Sequence, residues 1–417
     1  MSFDVTIVDS IMGSGKSQAS ITYMNEHPKD KFIYITPYLP EAARIKNSCP
    51  LLYFMEPSDK IPELGFSKTN HTRQLIEKGR NISSTHQMFR MYTQDMLDNI
   101  EKQDYTLIID EEVEVLKEDN EVSVKDIAWL KQQGYLKQQN NGALKLVKDD
   151  YCGDSMRSLF NKLKSGDLLE VKDRRDNSVY CYWALPIRVL GAFKKVIIMT
   201  YMFYGQELRY YLDIHNVPYS FIGTKLCGDG LYRFDPTMSY IPDYVKHLKE
   251  KIHICDKKSL NAIGDRYSAL SGNWYKRASS DQLLCLKNNV YNWFNNFKEF
   301  DTKVQDRMWG SGKKGKVKIR GKGYSSGWVA FNERATNQYK NKTVLAYPFN
   351  VFAKPVKIDY FNSFGIKYDS DCFATSILIQ WIWRSAIRDG KDIWLYIPSK
   401  RMRDLLINWI SNVSNTN

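Results

Sequence analysis

No run of about 18 consecutive apolar residues occurs in the sequence, so no membrane-spanning helix is expected. The opening Met1-Ser2-Phe3-Asp4 lacks the basic start and long apolar core of a secretory signal. Internal repeats and low-complexity tracts are missing as well, which argues against solenoids and collagen-like chains. The seven cysteines (Cys49, Cys152, Cys181, Cys227, Cys255, Cys285 and Cys372) form no CxxC pair and no Cys/His metal spacing. An odd, scattered set argues against a disulfide framework and a zinc site, and fits reduced thiols in a cytosol.

What is present is a chain of 417 residues, enough for two or three domains that each bury a core. Hydrophobic residues make up 43% and charged residues 26%, a globular balance. Lysine and arginine number 60 against 47 acidic residues, for a net charge of +13. That excess suits a polyanionic partner, but it equally suits a merely soluble basic surface. Composition leaves both open.

The stretch Asp9 to Ser20, DSIMGSGKSQAS, follows the apolar run Val5-Thr6-Ile7-Val8. Gly13 and Gly15 let a turn between strand and helix approach a ligand closely. The N–H groups of that turn, Ser14 included, and the helix dipole behind them form an anion cradle. Lys16 would reach β/γ-phosphates and the Ser17 hydroxyl would ligate Mg²⁺. The motif is the looser xxxGxGK[ST], because Ser10 stands where the first glycine of the strict form would be. A glycine-rich turn with a surface lysine is the plainer alternative.

A second signal is YTLIIDEEVEV, Tyr105 to Val115. Its apolar run predicts a central strand that delivers Asp110 and Glu111 at its C-terminal end, where open α/β sheets place ligands. Asp110 would hold Mg²⁺ and Glu111 would polarise the attacking water. Alone the pattern is common; behind Lys16, in this order, it is specific.

Strands and helices alternate from Phe3 to about Ile222, which predicts a doubly wound parallel sheet. Within it, residues 126–147 read as a helix and a hairpin turning on Asn140-Asn141-Gly142, either a winged-helix-like accessory or a plain insertion. The second half shows strand-like runs at 251–256, 327–332, 343–349, 356–361 and 392–398, with helix-like runs at 281–297 and 371–388. It reads as a second α/β domain without a phosphate loop of its own. On the expected helix, Gln380, Arg384 and Arg388 at i, i+4 and i+8 would lie within about 80° of one face. That stripe is either a solvated face or a set of cations reaching a phosphate across a cleft.

Taken together, Gly13-Ser14-Gly15-Lys16-Ser17, Thr85-His86, Asp110-Glu111, Met199-Thr200-Tyr201 and Gln380…Arg384…Arg388 resemble the superfamily 2 helicases. The likeness is to those of phages and mobile elements, the origin-binding type included. It implies an α/β fold of two RecA-like P-loop domains in tandem, sandwiching ATP and Mg²⁺, with an insertion in the first. It matches Gln380, Arg384 and Arg388 to the arginine-finger motif and leaves open which arginine is the finger; Arg388 is favoured for that role and Arg384 as a coupling residue. Thr85 and His86, and Thr336 and Asn337 in NERATNQYKNK, would contact nucleic acid. The two arginines are four apart rather than three, Trp383 replaces the family's glycine, and Val113 excludes a DEAD or DEAH member. No glutamine-based adenine motif is recognisable, so ATP is the family's implication.

Between Arg307 and Trp328, Lys313, Lys314, Lys316, Lys318, Arg320 and Lys322 alternate with glycine and apolar residues. Such a basic loop suits a phosphate backbone with bases stacked on flanking aromatics, or else is only solvated. The expected layout is a first domain over 1–222 with an insertion at about 116–180, a connection over 223–250, and a second domain over 251–417. The expected function is an ATP-dependent DNA helicase or translocase in phage replication or recombination, acting on single-stranded or forked DNA in the host cytoplasm. Replication proteins are possible partners and membranes are not. A scaffold or origin-binding ATPase and a P-loop small-molecule kinase are the rivals.

Overall fold

The structure is a computed structural model that describes residues 3–148, 150, 153, 155–164, 166–296, 302–333 and 338–414. Strands β1 (Val5–Asp9), β2 (Phe32–Thr36) and β4 (Thr106–Asp110) are largely apolar runs, while β3 (Ile82–Thr85) is Ile-Ser-Ser-Thr, and all four are mostly buried. Strands covered on both faces carry such continuous runs, and parallel pairing follows. The chain then leaves the sheet for an insertion containing β5 (Leu116–Glu118), β6 (Leu136–Gln138), β7 (Leu144–Leu146), β8 (Leu168–Lys172) and β9 (Val179–Ala184). Strands β6 and β7 form the hairpin expected at Asn140-Asn141-Gly142, with Gly142 at φ 84°. The insertion has its own small core around Ile127, Leu130, Leu144 and Phe160.

The chain returns through β10 (Lys195–Thr200), β11 (Tyr219–Leu226) and β12 (Tyr232–Asp235). The seven-stranded order is β12-β11-β1-β10-β4-β2-β3, parallel except for the β11–β12 hairpin. Strands β13 (Ile252–Ile254), β14 (Arg307–Ser311), β15 (Trp328–Ala330), β16 (Val344–Ala346) and β17 (Ile393–Tyr396) make a second, wholly parallel sheet. Its order is β13-β17-β16-β14-β15. The α/β class with two parallel sheets in tandem and an insertion in the first is thus observed.

Four expectations are corrected. The boundary after 222 falls inside β11, which pairs through Leu226 with β12, so the supposed connection completes the first sheet. Residues 356–361 are not a strand but part of the helix Pro355–Asn362. Pro355 stands at its first turn, where a missing N–H costs nothing. The alternation of apolar and polar residues mimicked a strand period. The basic run is no loop, because β14 leads into a helix over Lys313–Ile319. Finally, the helix expected over 371–388 ends at Ile382, and a short 3-10 turn covers Ala386–Asp389.

The helix Pro355–Asn362 has a further property. Although it lies between β16 and β17 in sequence, Val356, Phe361 and Tyr368 pack into the first unit's core. Tyr210 stacks on Tyr368 at 4.6 Å and meets Phe361 at 5.4 Å. Lys357 pairs with Glu207 at 2.7 Å and donates to the Leu116 carbonyl at 2.8 Å. The second unit therefore lends a segment to the first.

Candidate nucleotide site

Strand β1 delivers the chain to its C-terminal end, where Gly13 (φ 84°) and Gly15 (φ 81°) turn it into the helix Lys16–Glu26. No side chain caps that helix, so its first N–H groups face the loop uncapped. Lys16 folds back onto the carbonyls of Ser10 and, at 3.0 Å, Ile11. Burial lowers the pKa of its ammonium, while Glu111, Asp110 and Asp9 oppose that shift. Arg388 adds a like charge within reach of Lys16.

Strand β4 brings Asp110 beside the loop. Its Oδ2 accepts from Ser17 Oγ at 3.2 Å and from the Tyr34 hydroxyl at 3.1 Å. Burial and the neighbouring Glu111 push the Asp110 carboxyl up to about 6. Two oxygens bound side by side to an octahedral Mg²⁺ stand about 3.0 Å apart. Ser17 and Asp110 already hold nearly that spacing, so the pair fits a magnesium ion. Glu111 leaves the strand at φ 66°, its N–H donating to Met199 at 3.0 Å. That turn separates its carboxylate from the strand that carries Asp110.

Asp9 ties the loop to β10's exit by accepting from the Met202 and Phe203 N–H groups at 2.8 and 3.2 Å. Tyr201 accepts from Trp409 Nε1 at 3.0 Å, which joins the same segment to the last helix, Lys400–Ser414. From the other side, Thr224 Oγ1 donates to the Ser14 carbonyl at 2.7 Å, and a Cβ on Gly15 would collide with the Tyr232 ring. Tyr244 overlies Gly13 and accepts from Trp383 Nε1 at 3.2 Å.

The second unit contributes Arg384. It is 5% exposed, and its Nε and Nη1 have no partner. The Ser14 hydroxyl is likewise buried and unpartnered. Burial lowers the Arg384 guanidinium's pKa to about 10, with Glu111 and then Glu333 opposing. It remains a cation at neutral pH. Buried N–H groups without acceptors are costly, so an anion placed beside this side chain would be stabilised.

A family model described as the YonV C-terminal Rossmann-like domain matches residues 246–410. Over 417 residues the chain is 37% identical to the SPbeta prophage-derived uncharacterized protein YonV of Bacillus subtilis (strain 168), covering 98% of this chain and 99% of that one. The chain belongs to the YonV family. The solved structure titled XPD_Helicase overlaps 100% of this chain and 95% of its own, at 11% identity and a TM-score of 0.46. S. tokodaii Xpd4 gives 97% and 94%, 11% and 0.42. The helicase MrfA bound to DNA and AMPPNP gives 99% and 48%, 12% and 0.32. At these scores none carries a property over to the YonV-family chain, whose site stands on its own residues.

In this YonV-family chain, Gly13, Ser14, Gly15, Lys16, Ser17, Asp110 and Glu111 gather as expected from sequence. Gln380 and Arg384 come from the other unit, Gln380 lining a cavity of about 400 Å³ between the units. The single helical face proposed for Gln380, Arg384 and Arg388 does not exist, because the helix stops before Arg384. Thr85 and His86 stand at the start of a short helix that follows β3. Thr85 caps a short helix, and His86 is buried with Nε2 donating to the Asp110 carbonyl at 2.9 Å. At 9% exposure His86 braces the end of β4 and leaves little surface for a nucleic acid. Thr336 and Asn337 lie outside the described residues. Sequence reasoning missed Tyr34, Asp9, Thr224 and Tyr244. A phenol inside the otherwise apolar FIYIT run was the available sign, since a buried hydroxyl needs a partner.

Proposed function

We propose that this chain is an ATP-dependent DNA helicase or translocase of superfamily 2 type. The observation that carries it is Arg384, a buried cation of the second unit whose Nε and Nη1 have no partner, placed in the field of Glu111 in the first. In this reading the loop Gly13–Ser17 holds the triphosphate, with Lys16 released from the Ser10 and Ile11 carbonyls onto it. Ser17 and Asp110 would hold Mg²⁺, which would supply charge to screen the phosphates, Glu111 would orient the attacking water, and Arg384 would neutralise charge that develops on the γ-phosphate. This exchanges the roles expected from the motif, since Arg388 is exposed and Arg384 is not. Gln380 and Arg388 complete the far wall.

Asp9–Met202 and Tyr201–Trp409 supply a path from the phosphate loop to the last helix, which supports coupling of nucleotide state to the second unit. The net charge of +13 and the exposed Lys313, Lys314, Lys316, Lys318, Arg320 and Lys322 support a nucleic-acid track. The prophage origin of the Bacillus relative supports work on phage DNA, in replication or recombination, with replication proteins as partners. Hydrolysis of ATP measured with and without Mg²⁺ and single-stranded DNA tests the reading, together with unwinding of forked, 3′-tailed and 5′-tailed duplexes. Hydrolysis that ignores DNA would overturn the motor. A second reading, an origin-binding or scaffold ATPase without processive unwinding, is favoured by the segment that the second unit lends to the first. It predicts DNA-stimulated hydrolysis with no strand separation.

A further inference from the structure

The second unit carries a groove of about 1150 Å³ that is separate from the nucleotide site. It opens at the C-terminal ends of β14 and β16, between the segments 262–278, 312–315 and 349–358. Arg266, Lys276, Arg277, Lys313, Lys314 and Lys354 line it, and no Asp or Glu does among the described residues. All six are exposed, and Lys354 alone of them is drawn away, onto Glu118. The electrostatics therefore ask for a polyanion.

The groove is not merely basic. Tyr267 is 65% exposed and Phe352 36%, and their ring centroids lie 5.6 Å apart. Beneath them Arg401 is buried, with its guanidinium 4.4 Å from the Phe352 ring centroid and 5.6 Å from that of Tyr267. Arg401 is itself fixed by Asp371, Asn350 and the Val351 and Ser370 carbonyls. Asn350 in turn donates to the carbonyls of Tyr267 and Ala269 at 2.8 and 3.0 Å. Leu270 completes that loop at φ 61°, a left-handed conformation a branched side chain holds only under constraint. Two large aromatic rings are thus held out to solvent by a buried polar frame, at a cost that burial of the rings would have avoided.

We infer that Tyr267 and Phe352 form a base-stacking platform for single-stranded DNA, whose backbone runs along Arg266, Lys276, Arg277, Lys313 and Lys314. Unpaired bases supply flat apolar faces and the phosphates supply the charge, whereas a duplex hides the former. The inference rests on the DNA-motor reading, and adds to it that bases, not the backbone alone, are gripped.

The test is fluorescence anisotropy of labelled oligo(dT) and of an abasic strand of equal length, at one salt concentration. Tyr267→Ala and Phe352→Ala should each weaken oligo(dT) binding about tenfold and leave the abasic strand unaffected. Tyr267→Phe should bind as the wild type does. Lys276→Gln combined with Arg277→Gln should weaken both strands alike. Equal losses on both strands for the alanine variants, or no loss on oligo(dT), would overturn the platform while the motor reading stands. Tighter binding of a duplex than of oligo(dT) by the wild type would also overturn it. A wild-type protein that binds none of these and whose hydrolysis ignores DNA would bring down the platform and the motor reading together.

Discussion

The hydroxyl of Tyr34, on β2, donates to Oδ2 of Asp110, on the neighbouring β4, across 3.1 Å. The same oxygen receives the Ser17 hydroxyl, so one carboxylate atom joins the phosphate loop to two strands. Asp110 titrates near 6 because it is buried next to Glu111, and Tyr34 works against that shift. Mg²⁺ binds the carboxylate, not the acid. Nucleotide-dependent Mg²⁺ binding should accordingly fall as pH drops through about 6 at low Mg²⁺, and the midpoint should move lower as Mg²⁺ rises. Tyr34→Phe should move that midpoint upward, because the carboxylate loses a donor. Titration of Mg²⁺ affinity from pH 5 to 8 decides it; a midpoint that does not move in the variant would place the metal elsewhere.

Lys16→Ala should abolish hydrolysis while binding of oligo(dT) survives, since Lys16 faces the phosphate loop and not the groove. Glu111→Gln should bind ATP and fail to turn it over, and Asp110→Asn should chiefly weaken Mg²⁺-dependent binding. Rapid-quench hydrolysis alongside equilibrium binding separates these outcomes. Normal turnover in both carboxylate variants would refute the assignment of β4.

Arg384 makes a prediction of opposite sign for activity and stability. Arg384→Met should lower turnover on the order of 10³-fold with little change in ATP affinity. In the absence of nucleotide it should also raise stability, by about 1 kcal/mol or more, because it removes a buried cation whose Nε and Nη1 lack acceptors. Thermal melts with and without ATP check both halves. A destabilised variant would mean that Arg384 is structural.

The loaned segment should make unfolding cooperative across the two units. Lys357→Met leaves Glu207 facing a partly buried space without its cation, which should cost about 3 kcal/mol. Val356→Asp, which places a charge in the first unit's core, should split a single calorimetric transition into two. One unchanged transition in both variants would show that the segment contributes little.

Much of this was legible in the sequence for a physical reason. Strands covered on both faces must be continuous apolar runs, and residues that break such runs at their C-terminal ends, Gly13 to Ser17 and Asp110-Glu111, are set apart by that contrast. The arginines were less legible. In QWIWRSAIRDG every residue up to Asp389 tolerates a helix, and only tertiary packing ends it at Ile382. The phase that aligned Gln380 with Arg388 was therefore an artefact of continuing a period too far. The segment 353–368 was illegible for a stronger reason. Its apolar residues announce burial, but a sequence pattern cannot say in which core. Tyr34 could have been flagged, since a buried phenol has to find an acceptor; which acceptor depends on the strand order, β2 beside β4, that only the fold supplies.

That segment has a mechanical consequence. Val356, Phe361 and Tyr368 are anchored in one half of the molecule, while β16 before them and the helix Ser370–Ile382 after them belong to the other. The two halves are joined there by short stretches of chain as well as at the crossover near residue 245. A body pinned at two points cannot be pulled straight off its neighbour; it can only rock or twist about the line between the pins. In the proposed motor, a stroke driven at Lys16 and Arg384 would consequently be an angular one, and its reach at the groove would be set by that groove's distance from the hinge line.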